Sequence, residues 1–158
     1  MNDVYLAACA NEKVKPNTMI VGRLNQLDSE QAAWAHVDLS RNLCGSGNGF
    51  AALMALLTAQ SQHIESFDMS FTELNVQHVK KLCAVLKRAT HLRSVVLHNC
   101  GLYLESVEAL LTLLRHNTSI LHLDITSDET LPMPNTFPHS WINRLDAQLE
   151  RNRNAKPT

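Results

Sequence analysis

Hydrophobic positions recur along the chain in a rhythm that fits neither a plain strand nor a plain helix. In the segment HLRSVVLHNC, residues 91–100, apolar side chains stand at offsets of three and two, and a cysteine follows three residues later. The same spacing returns 28 residues later, 28 residues earlier and again 30 residues before that. The four slots of each copy, in chain order, are Trp34, Val37, Leu39 and Asn42; Ile64, Phe67, Met69 and Thr72; Leu92, Val95, Leu97 and Cys100; and Ile120, Leu123, Ile125 and Asp128. A pattern that occurs four times predicts one structural unit used four times.

An amphipathic helix is predicted after each of these windows. Apolar residues then fall at i, i+3, i+4 and i+7, which is the spacing of one helix face. These stripes are Phe50, Leu53, Met54 and Leu57; Val79, Leu82, Cys83 and Leu86; Val107, Leu110, Leu111 and Leu114; and, with one polar gap, Ile142, Leu145 and Leu149. The unit is therefore a short strand, a turn and a helix. Because one such unit cannot bury its apolar side alone, the units are expected to stack and share a core.

The repeated motif, L-x-x-L-x-L-x-x-N/C followed by a helix, resembles the leucine-rich repeat. The length near 28 and the full helix resemble the ribonuclease-inhibitor-like subclass, and RHNTSILHLDIT (115–126) and NRLDAQLERNRN (143–154) are similar to phrases common in that subclass. The resemblance implies an α/β leucine-rich-repeat solenoid, a short right-handed αβ horseshoe arc. Its parallel strands would line the concave side and its helices the convex side.

The repeats predict a single domain over 1–158 with both ends sealed. It comprises a helical N-terminal cap at 1–30 and repeats at 33–62, 63–90, 91–118 and 119–152, the last acting as the C-terminal cap and carrying an insertion at 128–139. Pro16 separates two short cap helices. Their apolar residues are Tyr5, Leu6 and Cys9 in the first and Ile20, Leu24 and Leu27 in the second. The segment 4–24 resembles the helical cap of eukaryotic cytoplasmic proteins of this type, several of them centrosomal or flagellar.

Composition narrows the class of protein further. The formal net charge of -1 gives no global field that favours nucleic acid or an acidic membrane. The apolar runs are too short to span a bilayer, and the N-terminal residues do not read as a signal peptide. None of the four cysteines has C-x-x-C spacing, which favours free buried thiols in a reducing compartment. We therefore expect a cytoplasmic protein, with cytoskeletal structures such as the centrosome or flagellum as candidate locations, that contacts neither nucleic acid nor membrane.

The side chains that point out of the strands form the candidate partner-binding site on the concave face. They are His36, Asp38, Ser40, Arg41, Ser66, Asp68, Ser70, Phe71, Ser94, Val96, His98, His122 and Asp124. Two neighbouring carboxylates, Asp38 and Asp68, repel each other, an arrangement that a cationic partner or the flanking His36 would relieve. Phe71 is a candidate apolar anchor beside them. The alternative interpretation is a solvated strand face without a partner.

Two segments depart from the repeat. The glycine-rich turn NLCGSGNGF (42–50) raises the possibility of phosphate binding, but its spacing lacks the Lys-Ser/Thr of a phosphate loop and favours a plain connecting loop. The proline-rich insertion SDETLPMPNTFPHS (127–140) offers Leu131, Met133 and Phe137 for apolar contact. It is interpreted either as a lid on the last repeat or as a second partner site.

The eight histidines raise the question of metal binding or catalysis. His36, His98 and His122 share the concave face with Asp124, yet no spacing matches a structural zinc pattern. An open arc also lacks the enclosed pocket that catalysis needs, so no catalytic residue, metal or cofactor is expected. The leading hypothesis is a non-catalytic interaction or scaffold module for an unidentified protein partner, itself a monomer or weak homodimer. The alternatives are a regulator that caps or inhibits its partner, as ribonuclease inhibitors and the actin-capping tropomodulins do, and an enzyme or metal protein that uses the histidines.

Overall fold

The computed structural model describes residues 1–42, 49–128 and 137–155. Within these ranges two opening helices are followed by strands and helices in alternation. The helices are α1 (Asn2–Glu12), α2 (Thr18–Glu30), α3 (Gly49–Gln60), α4 (Val76–Leu86), α5 (Leu104–His116) and α6 (His139–Asn154). The strands are β1 (His36–Asp38), β2 (Ser66–Asp68), β3 (Ser94–Val96) and β4 (His122–Asp124). The predicted alternation of short strand and helix is confirmed.

The four strands form one parallel sheet in the order β1-β2-β3-β4. Pairing joins equivalent positions of the repeat, so that the central residues Val37, Phe67, Val95 and Leu123 stand in one line across the sheet. Parallel neighbours that follow each other in the chain need a crossover connection, and α3, α4 and α5 supply it. The repeat period therefore fixes the register of the sheet.

The apolar slots of the repeat face the helices and form the core. Phe67, Met69, Val95 and Leu97 are fully buried, and one continuous cluster of buried side chains runs from α1 to α6. The outward position Val96 is only half-buried, as the strand alternation predicts.

The N-terminal cap packs through fewer residues than the sequence suggested. Tyr5 and Cys9 are buried, and α1 packs against α3. Leu6, expected on the same side, is exposed. The reason is geometric: Tyr5 and Cys9 lie four residues apart on one helix face, and Leu6 is turned about 100° away from Tyr5.

Asparagine side chains start two of the helices. Asn17 follows Pro16 and accepts the backbone N–H groups of Met19 at 2.9 Å and Ile20 at 3.3 Å, which begins α2. Asn75 accepts the backbone N–H of His78 at 2.8 Å and begins α4 in the same way. Such caps satisfy donors that the first turn of a helix leaves without a partner. Pro16 lies between α1 and α2, where the sequence placed the break.

The fourth slot of the repeat joins neighbouring units by hydrogen bonds. The Thr72 hydroxyl donates to the Asn42 carbonyl at 3.1 Å, and the Cys100 thiol donates to the Met69 carbonyl at 3.2 Å. Each bond satisfies a backbone oxygen of the preceding unit.

Two buried asparagines satisfy carbonyl groups at the C-terminal ends of helices. Asn117 Nδ2 donates to the carbonyls of Leu86 and Ala89 at 2.8 and 2.9 Å, beside the end of α4. Asn152 Nδ2 donates to the carbonyl of Leu114 in α5 at 3.1 Å. Both side chains thereby tie a helix end to the unit that follows it.

Candidate functional site

The outward-pointing side chains of the strands, here called the strand face, form two columns. The first column is His36, Ser66, Ser94 and His122; the second is Asp38, Asp68, Val96 and Asp124. Both columns agree with the alignment of the repeats. Within the first, His36 Nδ1 lies 2.9 Å from Ser66 Oγ, so at least one neighbouring pair is joined by a hydrogen bond.

Three aspartates of the strand face have a structural role that the sequence analysis missed. Asp38 and Asp68 each accept a backbone N–H two residues ahead, from Ser40 at 2.9 Å and from Ser70 at 2.8 Å. Asp124 does the same with Thr126 at 2.8 Å. The local pattern Asp-x-Ser/Thr is a known turn signal and could have revealed this. These carboxylates therefore stabilise the turns after the strands, whether or not they also contact a partner.

Asp124 shows how this environment holds a carboxylate in its charged form. Burial alone would raise its pKa, but the Thr126 hydroxyl and backbone N–H both donate to Oδ1, and His98 and His122 lie nearby. The hydrogen bonds and the histidines favour the anion, and the pKa of Asp124 lies below its ordinary value.

A second group of side chains follows the strands at the turns, and we call it the turn row: Arg41, Phe71, His98, Asn99 and Asp128. Arg41, Phe71 and Asn99 occupy equivalent positions and share a left-handed backbone, with φ of 55°, 59° and 55°. The Arg41 guanidinium carbon lies 3.9 Å from the centre of the Phe71 ring. Phe71 also meets the His98 ring edge to face, with 5.3 Å between ring centres. The three side chains form a stack across three repeats.

Hydrogen bonds continue the turn row to the last described repeat. His98 Nδ1 lies 2.8 Å from the Thr126 hydroxyl, and its Nε2 lies 3.5 Å from an Asp128 oxygen. Asn99 donates to the Asp128 carboxylate at 2.8 Å and accepts the Asp128 backbone N–H at 2.7 Å. The sequence placed Arg41, Phe71 and His98 on one face but did not predict that they touch.

The predicted site residues differ in the fraction of their surface that is exposed to solvent. Phe71 leaves 41% of its surface in solvent, whereas Ser70 leaves only 5% and presents little surface to a partner. Phe137 is half-buried and packs against the core. Leu131 and Met133 lie outside the described residues, as does most of the glycine-rich turn.

The chemistry available at this surface is that of hydrogen bonding, charge and aromatic contact. Across the described ranges, no three histidine, cysteine or acidic side chains cluster closely enough to hold a metal ion. A concavity of about 410 Å³ lies between α2 and β1, and His36, Asp38 and Arg23 border it. The described helices include none long and apolar enough to cross a membrane.

The parallel sheet in chain order, with helical crossovers at a regular period, is consistent with a leucine-rich-repeat-like fold. Among solved structures, the chain is similar to one titled "Leiomodin-1 Actin-Binding Site 2 (ABS2)", with a TM-score of 0.56 and 15% sequence identity, covering 89% of this chain and 92% of that one. At this identity the likeness concerns the fold. No protein-family model and no curated protein matches the chain.

Proposed function

We propose that the protein is a non-catalytic interaction module whose partner protein contacts the strand face and the turn row. The observation that carries the proposal is Phe71. This residue is 41% exposed although the Arg41 guanidinium and the His98 ring contact its side chain. A fixed, exposed aromatic ring beside an arginine is typical of residues that contribute most to protein–protein binding energy.

The charges of the strand face favour a partner segment that is basic as well as apolar. Asp38 and Asp68 pair directly across β1 and β2, and Asp124 lies two strands further on. A lysine or arginine of the partner would relieve the repulsion between the first two carboxylates. An apolar side chain next to it would cover the Phe71 ring. The ribonuclease-inhibitor-like subclass and its curved solenoid belong to the same proposal, since an arc would present this surface as a concave groove.

A cytoskeletal partner is the first candidate, and support comes from the similar solved structure, whose title names an actin-binding site. The alternative within this class is a regulator that caps or inhibits a cytoskeletal or enzyme partner. Both forms of the proposal use the same surface, and they differ in what binding does to the partner.

Affinity capture from cell extract with mass spectrometry would test the proposal. The informative variant is Asp38→Asn/Asp68→Asn, because asparagine keeps the oxygen that accepts the Ser40 and Ser70 N–H groups and removes only the charge. The triple variant, which combines these two substitutions with Phe71→Asn, should reduce capture of a direct partner at least about tenfold. Lys81→Glu, exposed on α4 and away from this surface, is the matched control. Partners retained equally by all variants would contradict the proposed surface.

Purified actin separates the two forms of the proposal. Co-sedimentation with filaments that Phe71→Asn abolishes would support a cytoskeletal scaffold. Slower filament elongation at low ratios of this protein to actin would instead support a capping regulator. Absence of both effects would exclude actin while leaving other protein partners to the capture experiment.

A further inference from the structure

The side of the molecule opposite the strand face carries a groove between α4 and α5. The groove encloses about 460 Å³. Its floor consists of small or apolar side chains, Cys83, Ala84, Ala109 and Leu113. Small side chains let an approaching element come close to the two helices, and the floor offers it an apolar contact.

The walls of the groove carry opposite charges that have no partner in the described chain. Lys80 comes from α4 and Lys87 is the residue that follows it, and Glu105 and Glu108 come from α5. All four side chains are exposed, and none makes an ion pair with a described residue.

The charges are also ordered along the groove. Glu105 and Glu108 stand near the start of α5, whereas Lys87 caps the C-terminal end of α4 and His116 ends α5. Lys80, in the second turn of α4, lies toward the end that carries the two glutamates. Among the lining residues, that end therefore has two carboxylates and one ammonium group, and the opposite end has Lys87 and His116 without a carboxylate. From residue 105 to residue 116 the groove runs roughly 16 Å, about three turns of helix.

This arrangement does not recur in every repeat. The preceding helix, α3 with the sequence GFAALMALLTAQ, has no charged residue at all. The surface between α3 and α4 therefore lacks a second charged wall.

We propose that the α4–α5 groove binds an amphipathic helix of another protein, about three turns long, that lies antiparallel to α4 and α5. Its apolar stripe would cover the floor of the groove. Acidic residues in its first turn would meet Lys87 and His116, and basic residues in its last turn would meet Glu105 and Glu108. That charge order is the usual one for a helix, and an antiparallel orientation also aligns the helix dipoles favourably. This site lies apart from the strand face and does not depend on the function proposed for it.

Display selection with the full chain as target tests the proposal. The probe is a library of 14-residue helical peptides with a fixed apolar stripe and random acidic, basic or neutral residues in the first and last turns. Enriched peptides should carry acidic residues in the first turn and basic residues in the last turn. The fourfold variant Lys80→Glu/Lys87→Glu/Glu105→Lys/Glu108→Lys reverses these charges of the groove. It should lower the affinity for those peptides roughly tenfold or more, and selection against it should enrich peptides with the opposite charge order.

Controls separate this groove from the strand face and from self-association. Lys81→Glu/Asp146→Lys changes exposed charges on α4 and α6 outside the groove and should leave peptide affinity unchanged. Phe71→Asn should also leave the peptide affinity unchanged. The groove proposal and the strand-face proposal can therefore fail independently of each other. Three results would overturn the groove proposal: no enrichment, enrichment that ignores charge order, or self-association that the fourfold variant abolishes. In the last case the occupant would be a second copy of the chain.

Discussion

Phe71 combines an unfavourable backbone with a well-ordered side chain. At φ of 59° the backbone lies in the left-handed region, where asparagine and glycine are usual and a bulky residue is uncommon. The equivalent position of the next repeat holds Asn99, the residue type that this conformation prefers. Contacts with Arg41 and His98 offset part of the cost of placing an aromatic residue there.

Two substitutions at this position separate the backbone from the ring. Phe71→Ala and Phe71→Asn both remove the ring contacts, but only asparagine tolerates the left-handed backbone. We therefore expect the asparagine variant to be more stable than the alanine variant by about 1 kcal/mol, measured as the free energy of unfolding in urea. Equal stability would mean that the backbone at residue 71 is not left-handed in solution.

The described cysteines, Cys9, Cys83 and Cys100, are free thiols; Cys83 is partly buried and Cys100 fully buried, and desolvation lowers the reactivity of both. Desolvation raises the pKa of Cys83 to about 12 and that of Cys100 to about 11. Only the thiolate reacts with alkylating agents, so near pH 8 its fraction is on the order of 10⁻⁴ at Cys83 and 10⁻³ at Cys100.

Iodoacetamide labelling resolved by mass spectrometry should therefore show slow modification of Cys83 and Cys100 in the folded chain. We expect rates at least about 100-fold below those of the same sites in denaturing urea, rising as the pH approaches 11. Rapid labelling of folded Cys83 near neutral pH would show that its thiol is not desolvated.

At the scale of single elements, side chains from one unit complete the hydrogen bonding of the next. Asn117 satisfies two carbonyls near the end of α4, and the thiol of Cys100 satisfies a carbonyl that follows β2. Buried carbonyl groups without partners are costly, so these bonds stabilise the stacking of units beyond apolar contact alone.

Asn117→Ala should lower the free energy of unfolding by about 2–4 kcal/mol, because it removes two buried hydrogen bonds to the Leu86 and Ala89 carbonyls and the oxygen that accepts the Ser119 N–H. Denaturation in urea followed by circular dichroism measures this loss. Asn154→Ala is the control: Asn154 is exposed and bonds only Glu150 of its own helix, so its loss should cost less than about 0.5 kcal/mol. Similar losses in both variants would contradict the role assigned to Asn117.

The sequence predicted the elements better than their contacts. Helix stripes and strand slots follow from spacing, and α3, α4 and α5 are found where the stripes indicated. Ser70 was expected on the open face because strand alternation was extended past the end of β2, where the Asp68 turn redirects the chain. The stack of Arg41 on Phe71 depends on side-chain rotamers and on left-handed turns, which spacing does not specify.

Across the whole molecule, one core joins all the described units. The cluster of buried side chains extends from Tyr5 in α1 to Leu149 in α6 without interruption. Such continuity couples each unit to its neighbours, and a chain of this size is expected to unfold as a single cooperative system.

Leu97→Ala tests this coupling at the centre of the sheet. Its side chain is fully buried, so truncation should cost about 2–5 kcal/mol while unfolding stays a single transition in both circular dichroism and tryptophan fluorescence. The fluorescence comes from Trp34 in the first repeat and Trp141 in α6, both outside the unit that carries the substitution. Separate transitions for the two signals would mean that the units unfold independently.

Strand order was predictable at this scale because the period of the repeat dictates it. The sequence did not predict the packing of α1 on α3 or the charged groove between α4 and α5, because both involve residues whose type the repeat does not specify. The repeated positions therefore account for the scaffold, and the candidate functional sites involve positions that differ between repeats.

The position of Asn117 has one more consequence, for expression of the protein. Asn117-Thr118-Ser119 matches the acceptor sequence for N-linked glycosylation. The nitrogen that would receive the sugar is the same Nδ2 that bonds the end of α4, and the side chain is buried. A glycan attached during passage through a secretory pathway would occupy the space where two units meet. Secreted material should therefore divide into folded molecules without the sugar and modified molecules that fail to fold.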